Sequence, residues 1–151
     1  MNESVVIGAT GAVIKQLARH WFEAHTGEVE LHVFAPTLPQ LFVEAGLGLA
    51  ELMAGERRRA PDGPAEGVEI QAPDRDALLV DWLNELVFLS ETRHRIYDEL
   101  RIASLSDREL RAEIRGAPPD HLRTAVKAAT LHRLHIEGEA GGYSAAVVLD
   151  V

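Results

Sequence analysis

The sequence contains no cysteine. Disulfides, thiolate metal sites and a cysteine nucleophile are thereby excluded. It has no run of about 18 consecutive apolar residues, so no membrane-spanning helix is expected. Its first residues lack a basic stretch leading into an apolar core and a small-residue cleavage site, so no signal peptide is expected either. Positive charge is also scarce: 15 Lys and Arg stand against 24 Asp and Glu, a net charge of −9. A protein that grips nucleic acid by itself needs Lys and Arg facing phosphates. This balance disfavours that class and suits a basic protein partner or a cation. The one basic run, Arg57-Arg58-Arg59, adjoins Pro61-Asp62-Gly63-Pro64 and reads as a solvated loop, with phosphate binding as its alternative. There is no Ser/His/Asp set, no H-E-x-x-H and no phosphate-cradling loop. Ser4 to Ile14, with Gly8 and Gly11, superficially resembles a strand entering a dinucleotide-binding turn, but it lacks the third glycine of G-x-G-x-x-G.

What is present is enough for one domain with a real core: 151 residues, 46% apolar and 26% charged. Residues 1–20 read as an extension; either a short helix over about 12–24 or a loosely attached segment is expected there. Val29, Leu31 and Val33 alternate with Glu30 and His32, which predicts a half-buried strand over 28–34. Thr37 is positioned to cap a helix over 38–54, with Pro39 in its first turn. Gly46 and Gly48 inside it point to close packing or a kink. Residues 55–65 read as a loop and 67–72 as a strand. Asp74 is a candidate cap for a second, more apolar helix over 75–90, which is expected to be central. Strands are expected over 97–105, 110–115 and 128–138, with a loop over 116–120 between the last two. Glu139-Ala140-Gly141-Gly142 reads as a hairpin turn in which both glycines supply positive φ. The expected fold is α+β: two helices covering one face of a mainly antiparallel sheet.

The final strand, Tyr143 to Val151, is apolar and β-branched up to its end, where the Asp150 carboxylate lies next to a main-chain carboxylate. Two negative groups so close repel one another unless a cation lies between them. A metal ion held by Asp150 and the Val151 carboxylate is one reading. A solvated strand tip is the other.

Four separated stretches then resemble one family. Phe22-Glu23-Ala24-His25-Thr26-Gly27-Glu28-Val29 resembles the F-x-x-H-T-A-D-V opening of archease. Asp81-Trp82-Leu83-Asn84-Glu85-Leu86-Val87-Phe88-Leu89 is similar to its D-F/W-L-N-E-L-L-F-L helix. Lys127-Ala128-Ala129-Thr130-Leu131-His132 resembles its K-A-V/A-T-Y/W-H strand, and Gly141-Gly142-Tyr143 through Leu149-Asp150-Val151 its closing G-G-Y-x-A-x-V-I-L-D-I/V. Order and spacing match over residues 21–151, an archease-like domain.

The resemblance implies a small cytoplasmic α+β protein that is not itself an enzyme. It implies a protein cofactor of the RNA-splicing ligase that joins 2′,3′-cyclic phosphate or 3′-phosphate ends to 5′-hydroxyl ends. Such a cofactor promotes guanylylation of the ligase and multiple turnover, and meets RNA only through the ligase. It further implies a divalent cation, Ca²⁺ in the first place with Mg²⁺ or Mn²⁺ as alternatives, held by Glu28, Asp150 and Val151. Glu28 and Gly27 stand where the family has Asp and Ala. Glu keeps the charge and adds one methylene, and Gly27 leaves the backbone room to retreat. His25 reads as a support for the motif or a turn histidine. His132 and His135, three apart on a strand, are expected on opposite faces and so form no joint site. Asn84 and Glu85 read as braces for neighbouring strands, and Trp82 and Phe88 as core. A small metal-dependent enzyme and a chaperone-like binding module are the competing functions.

Overall fold

The computed structural model describes residues 3–7, 13–56 and 58–151. Gly8-Ala9-Thr10-Gly11, within the stretch that superficially resembles a dinucleotide-binding turn, and Arg57 of the basic run lie outside the described residues.

Two antiparallel strand pairs come first. β1 (Glu3–Ile7) pairs antiparallel with β2 (Val13–Leu17), and β3 (Arg19–His25) pairs antiparallel with β4 (Glu28–Ala35). The helix expected over 12–24 is therefore a correction: its described residues form strands. The physical reason is the alternation of burial along β3, where His20 and Phe22 turn inward and Arg19, Trp21 and Glu23 turn outward, a period of two.

The chain continues through α1 (Leu38–Ala54), β5 (Asp62–Gln71), α2 (Arg75–Arg93), β6 (Ile96–Leu105) and β7 (Glu109–Ala117). It ends with β8 (Ala128–Thr130), β9 (Glu137–Glu139) and β10 (Gly142–Asp150). Both helices start as their sequences dictate. The Thr37 hydroxyl accepts from Gln40 N at 3.3 Å, and the Asp74 carboxylate from Ala77 N at 2.8 Å, each occupying one of the backbone donors a helix start leaves free.

The class is α+β and every described strand pair is antiparallel, but the strands do not form one sheet. β3-β4-β10-β8, with β9 also on β10, make one sheet; β5-β7-β6 make a second; β1-β2 stand apart. Both helices pack against strands of the two larger sheets, α1 on β4 and β6, α2 on β8 and β5. Centrality is thus shared between the helices. Gly46 faces Leu100 and Leu86, and Gly48 faces Leu31 and His20, so the two glycines serve close packing. Trp82 is fully buried and its indole N–H donates to Phe42 O at 2.8 Å. Phe88 is 56% exposed, correcting its assignment to the core. It lies on the opposite side of α2 from Leu79, Leu83 and Leu86, which fill the interior.

Three smaller expectations are also corrected. β5 begins at Asp62, within the expected loop, and carries a bulge before Glu66. The strand expected over 128–138 is two short strands with a turn between them. Arg133 takes a left-handed conformation (φ 55°), and Asp76 of α2 accepts from Ile136 N at 2.9 Å, which holds that segment off the sheet. In the β9–β10 turn only Gly141 has positive φ. Gly142 is already in the strand, where a Cβ would meet Ala35 O at 2.2 Å. No helix among the described residues is long and apolar enough to cross a membrane.

Candidate functional site: the outer face of the five-stranded sheet

β4 carries two different faces. Leu31, Val33 and Ala35 enter the core, while Glu28, Glu30, His32 and Phe34 turn to the other side. Register then decides their neighbours. Glu28 is opposite His25 on β3 and opposite Asp150 on β10. Glu30 is opposite Glu23 and Val148; His32 is opposite Trp21 and Ala146; Phe34 is opposite Arg19 and Ser144. Directly opposed residues in an antiparallel pair share a face. The outer face therefore changes character along its strands. One end is capped by Arg19, whose guanidinium lies 4.6 Å from the Phe34 ring centroid. The other end is a field of carboxylates and imidazoles.

Asp150 and Glu28 are thus a cross-strand pair, 122 positions apart in the chain, with Asp150 exposed and Glu28 half-buried. Val151 extends the pairing: its N–H donates to Gly27 O at 3.2 Å, and its side chain packs on the core. Gly27 has φ 75° and open space where a Cβ would be. Its value lies in the turn conformation, which a side chain would strain, rather than in room for Glu28.

β10 is held from its other side as well. Lys127 N donates to Asp150 O at 2.8 Å. The outer edge of β8 is closed by a side chain: Asn84 of α2 donates to Ala129 O at 3.1 Å and accepts from Ala129 N at 2.8 Å. One amide thus replaces a missing strand partner, which is the bracing role expected for Asn84.

Beside the Glu28–Asp150 row lies a tighter cluster. Donor atoms of Glu23, His25 and Glu30 all lie within 4.8 Å of one another. His25 Nε2 is 3.8 Å from Glu30 Oε2, and His32 Nε2 is 3.2 Å from Glu30 Oε1 and 3.6 Å from Glu23 Oε1. The His32 nitrogen is close enough to pair but is buried and makes no hydrogen bond. Trp21 stacks on the His32 ring at 5.2 Å and 9°. Of these residues the sequence motifs singled out only His25. The signal that could have found the others is the two-residue Thr26-Gly27 turn: folding the chain there stacks Glu23 on Glu30 and Trp21 on His32.

The remaining histidines and the basic run do other things. His132 and His135 are in the turn between β8 and β9, and His135 Nδ1 lies 3.3 Å from Asp76 Oδ2. Arg58 donates to Asp98 at 3.0 Å and to Gly55 O, and Arg59 to Asp120 at 2.8 Å. Both arginines line a cleft of about 680 Å³ together with His121 and Arg123. That cleft shares no lining residue with the outer-face field.

Fold and site together define a small α+β protein with an acidic, histidine-bearing sheet face and two helices behind it. Residues 21–151 match the Archease protein family (MTH1598/TM1083). The protein archease of Methanopyrus kandleri is 32% identical over 134 residues, 84% of this chain and 95% of that protein. The solution structure of Methanobacterium thermoautotrophicum protein 1598 superposes with a TM-score of 0.69 at 28% identity, covering 87% of this chain and 98% of that one. A crystal structure from Thermotoga maritima, described as an archease and possible chaperone, has a TM-score of 0.62 at 19% identity over 88% and 99% of the two chains, and shares the fold. The chain belongs to the archease family.

Proposed function

We propose that this chain activates an RNA-splicing ligase by protein contact, promoting ligase guanylylation and repeated turnover, and that it presents a divalent cation held by Glu28, Asp150 and the Val151 carboxylate. The observation that carries this reading is the register that sets Asp150 against Glu28 with Val151 bonded to Gly27 O. The carboxylates of Glu28, Asp150 and Val151 offer only oxygen, which suits a hard cation such as Ca²⁺ or Mg²⁺. The placement supports this donor set: Asp150 is exposed, Glu28 and Val151 are half-buried, and β4 and β10 are directly hydrogen-bonded neighbours.

The bound cation would supply positive charge at the sheet edge, where a ligase's nucleotide site could use it to orient phosphate oxygens. This chain's residues contribute position. Asn84 holds β8, β8 holds β10, and β10 holds Asp150 against Glu28. The net charge of −9 and the internal pairing of Arg58 and Arg59 favour contact with the ligase protein over direct contact with RNA.

The test uses the purified protein, its host's RNA-splicing ligase, GTP, Mn²⁺ and a cyclic-phosphate RNA, with turnovers counted per ligase molecule. The wild type is expected to raise turnover at least tenfold. Asp150→Asn and a short extension after Val151 are expected to remove the stimulation while far-UV circular dichroism stays native. Unchanged turnover with the wild type refutes the activator reading. Stimulation surviving both changes refutes the role of the carboxylates. If the protein instead protects a denatured ligase from aggregation without changing guanylylation, the chaperone-like reading takes its place.

A further inference from the structure

We propose a second cation site on the same face, formed by Glu23, His25 and Glu30, that takes a divalent ion able to accept imidazole nitrogen, of the zinc class. It stands independently of the ligase reading, since it concerns binding alone.

The argument begins with ligand chemistry. Glu28, Asp150 and Val151 offer only oxygen. Glu23, His25 and Glu30 offer two carboxylates and one imidazole, the mixed set preferred by borderline ions such as Zn²⁺, Co²⁺ and Ni²⁺. The two sets share no side chain. Glu30 is two residues along β4 from Glu28, about 7 Å away at the rise of a strand.

Geometry agrees. Around a tetrahedral ion with bonds of about 2.1 Å, donors sit about 3.4 Å apart. The three donors here lie within 4.8 Å of one another, so closing on an ion requires each to move by under about 1 Å. Glu23 and His25 can do so through rotamers alone, their side chains being 56% and 51% exposed. Glu30 is more enclosed, at 22%, and forms the fixed wall of the site.

His32 is the independent observation. A buried imidazole nitrogen with no hydrogen-bond partner is costly. Yet this one is held by Trp21 stacking, facing Glu30 and Glu23 at 3.2 and 3.6 Å. Its placement makes sense if the two carboxylates are drawn to a shared point beside it. There His32 orients them and can itself complete the coordination. The structure provides a reporter as well. Of the two tryptophans, Trp82 is fully buried while Trp21 lies on this cluster, so paramagnetic Co²⁺ bound here would quench the exposed one.

The experiment uses untagged, full-length protein stripped with a chelator. Zn²⁺ binding is followed by calorimetry, and Co²⁺ binding by visible absorption and tryptophan emission. One ion per chain is expected, with emission from Trp21 reduced and the quench absent in Trp21→Phe. His25→Ala and Glu30→Gln should each weaken Zn²⁺ at least tenfold, and Asp150→Asn should change it less than twofold. The proposal is overturned by absence of Zn²⁺ binding. It is overturned equally by binding that survives both His25→Ala and Glu30→Gln, or by binding that Asp150→Asn abolishes, which would assign the ion to the Glu28 row. Loss of ligase stimulation in Asp150→Asn with Zn²⁺ binding intact separates the two sites.

Discussion

β3 carries two arrangements of the same chemistry on its two faces. Inward, His20 lies between two glutamates of α1: its Nδ1 contacts Glu44 at 2.5 Å and its Nε2 contacts Glu51 at 2.8 Å. Outward, five positions further along, His25 and its neighbour His32 on β4 face Glu23 and Glu30 at 3.2 to 3.8 Å without a hydrogen bond. The inner set is closed. Carboxylates can only accept, so two such contacts require both imidazole nitrogens to carry protons, and the charged ring ties strand to helix. The outer set is open: its nitrogens make no hydrogen bond to the carboxylates beside them, and the Glu23 and His25 side chains, 56% and 51% exposed, are free to move. Composition does not distinguish a structural pin from a binding site. Closure does.

The sharpest way to break this comparison is to remove one histidine from each face. His20→Ala leaves Glu44, a residue only 9% exposed, without its cation. Breaking such a buried pair is expected to cost about 3 kcal/mol, a fall of roughly 6–12 °C in the unfolding midpoint for a chain of this size. His25→Ala removes an exposed group and is expected to stay within about 0.5 kcal/mol. Thermal unfolding of the two variants side by side checks this. Equal losses would mean that the faces do not differ as described.

A smaller effect sharpens the comparison by acting on the outer face from behind. Asn84→Ala deprives Ala129 of both edge hydrogen bonds, at a cost of about 2 kcal/mol in denaturant unfolding. Because β8 supports the end of β10, the same variant is expected to show faster amide exchange at Asp150 N–H than the wild type. Unchanged exchange there would separate Asn84 from the site.

How much of this can be read in the sequence follows the range of the interactions. Both helix starts are legible because Thr37 and Asp74 act on residues three positions away. β4 is legible because Val29, Leu31 and Val33 alternate with polar neighbours. β3 is not. One of its inward positions is a histidine and one of its outward positions is Trp21, so hydrophobicity gives the wrong period. His20 is acceptable inside only because Glu44 and Glu51, 24 and 31 positions away, meet it there. The break after β8 is hidden for the same reason, since it depends on Asp76 reaching Ile136 across 60 positions. At the site, the motif residues His25, Glu28 and Asp150 are visible, while Glu23, Glu30 and His32 become neighbours only once β3 is known to be a strand.

The smallest expected effect is a pH dependence that belongs to the inner face. The hydrogen bond to Glu44 raises the His20 pKa above its ordinary 6.5, opposed by burial and reinforced by Glu51. The folded protein therefore holds this proton more tightly than the unfolded chain does. Its contribution to stability is fully present below about pH 6.5, the unfolded value, and is lost as the pH rises through the higher folded value. Among the described residues, the groups that face the ring are the two α1 carboxylates and the edge of Phe22, 5.6 Å away. Urea unfolding between pH 6 and 9 is expected to show stability falling through this window in the wild type. The fall should be reduced in His20→Gln, which keeps a donor near Glu44 but cannot titrate. His25→Ala should retain the full wild-type slope. A slope that follows His25 instead would place the titrating group on the outer face and reverse the assignment of which histidine is the pin.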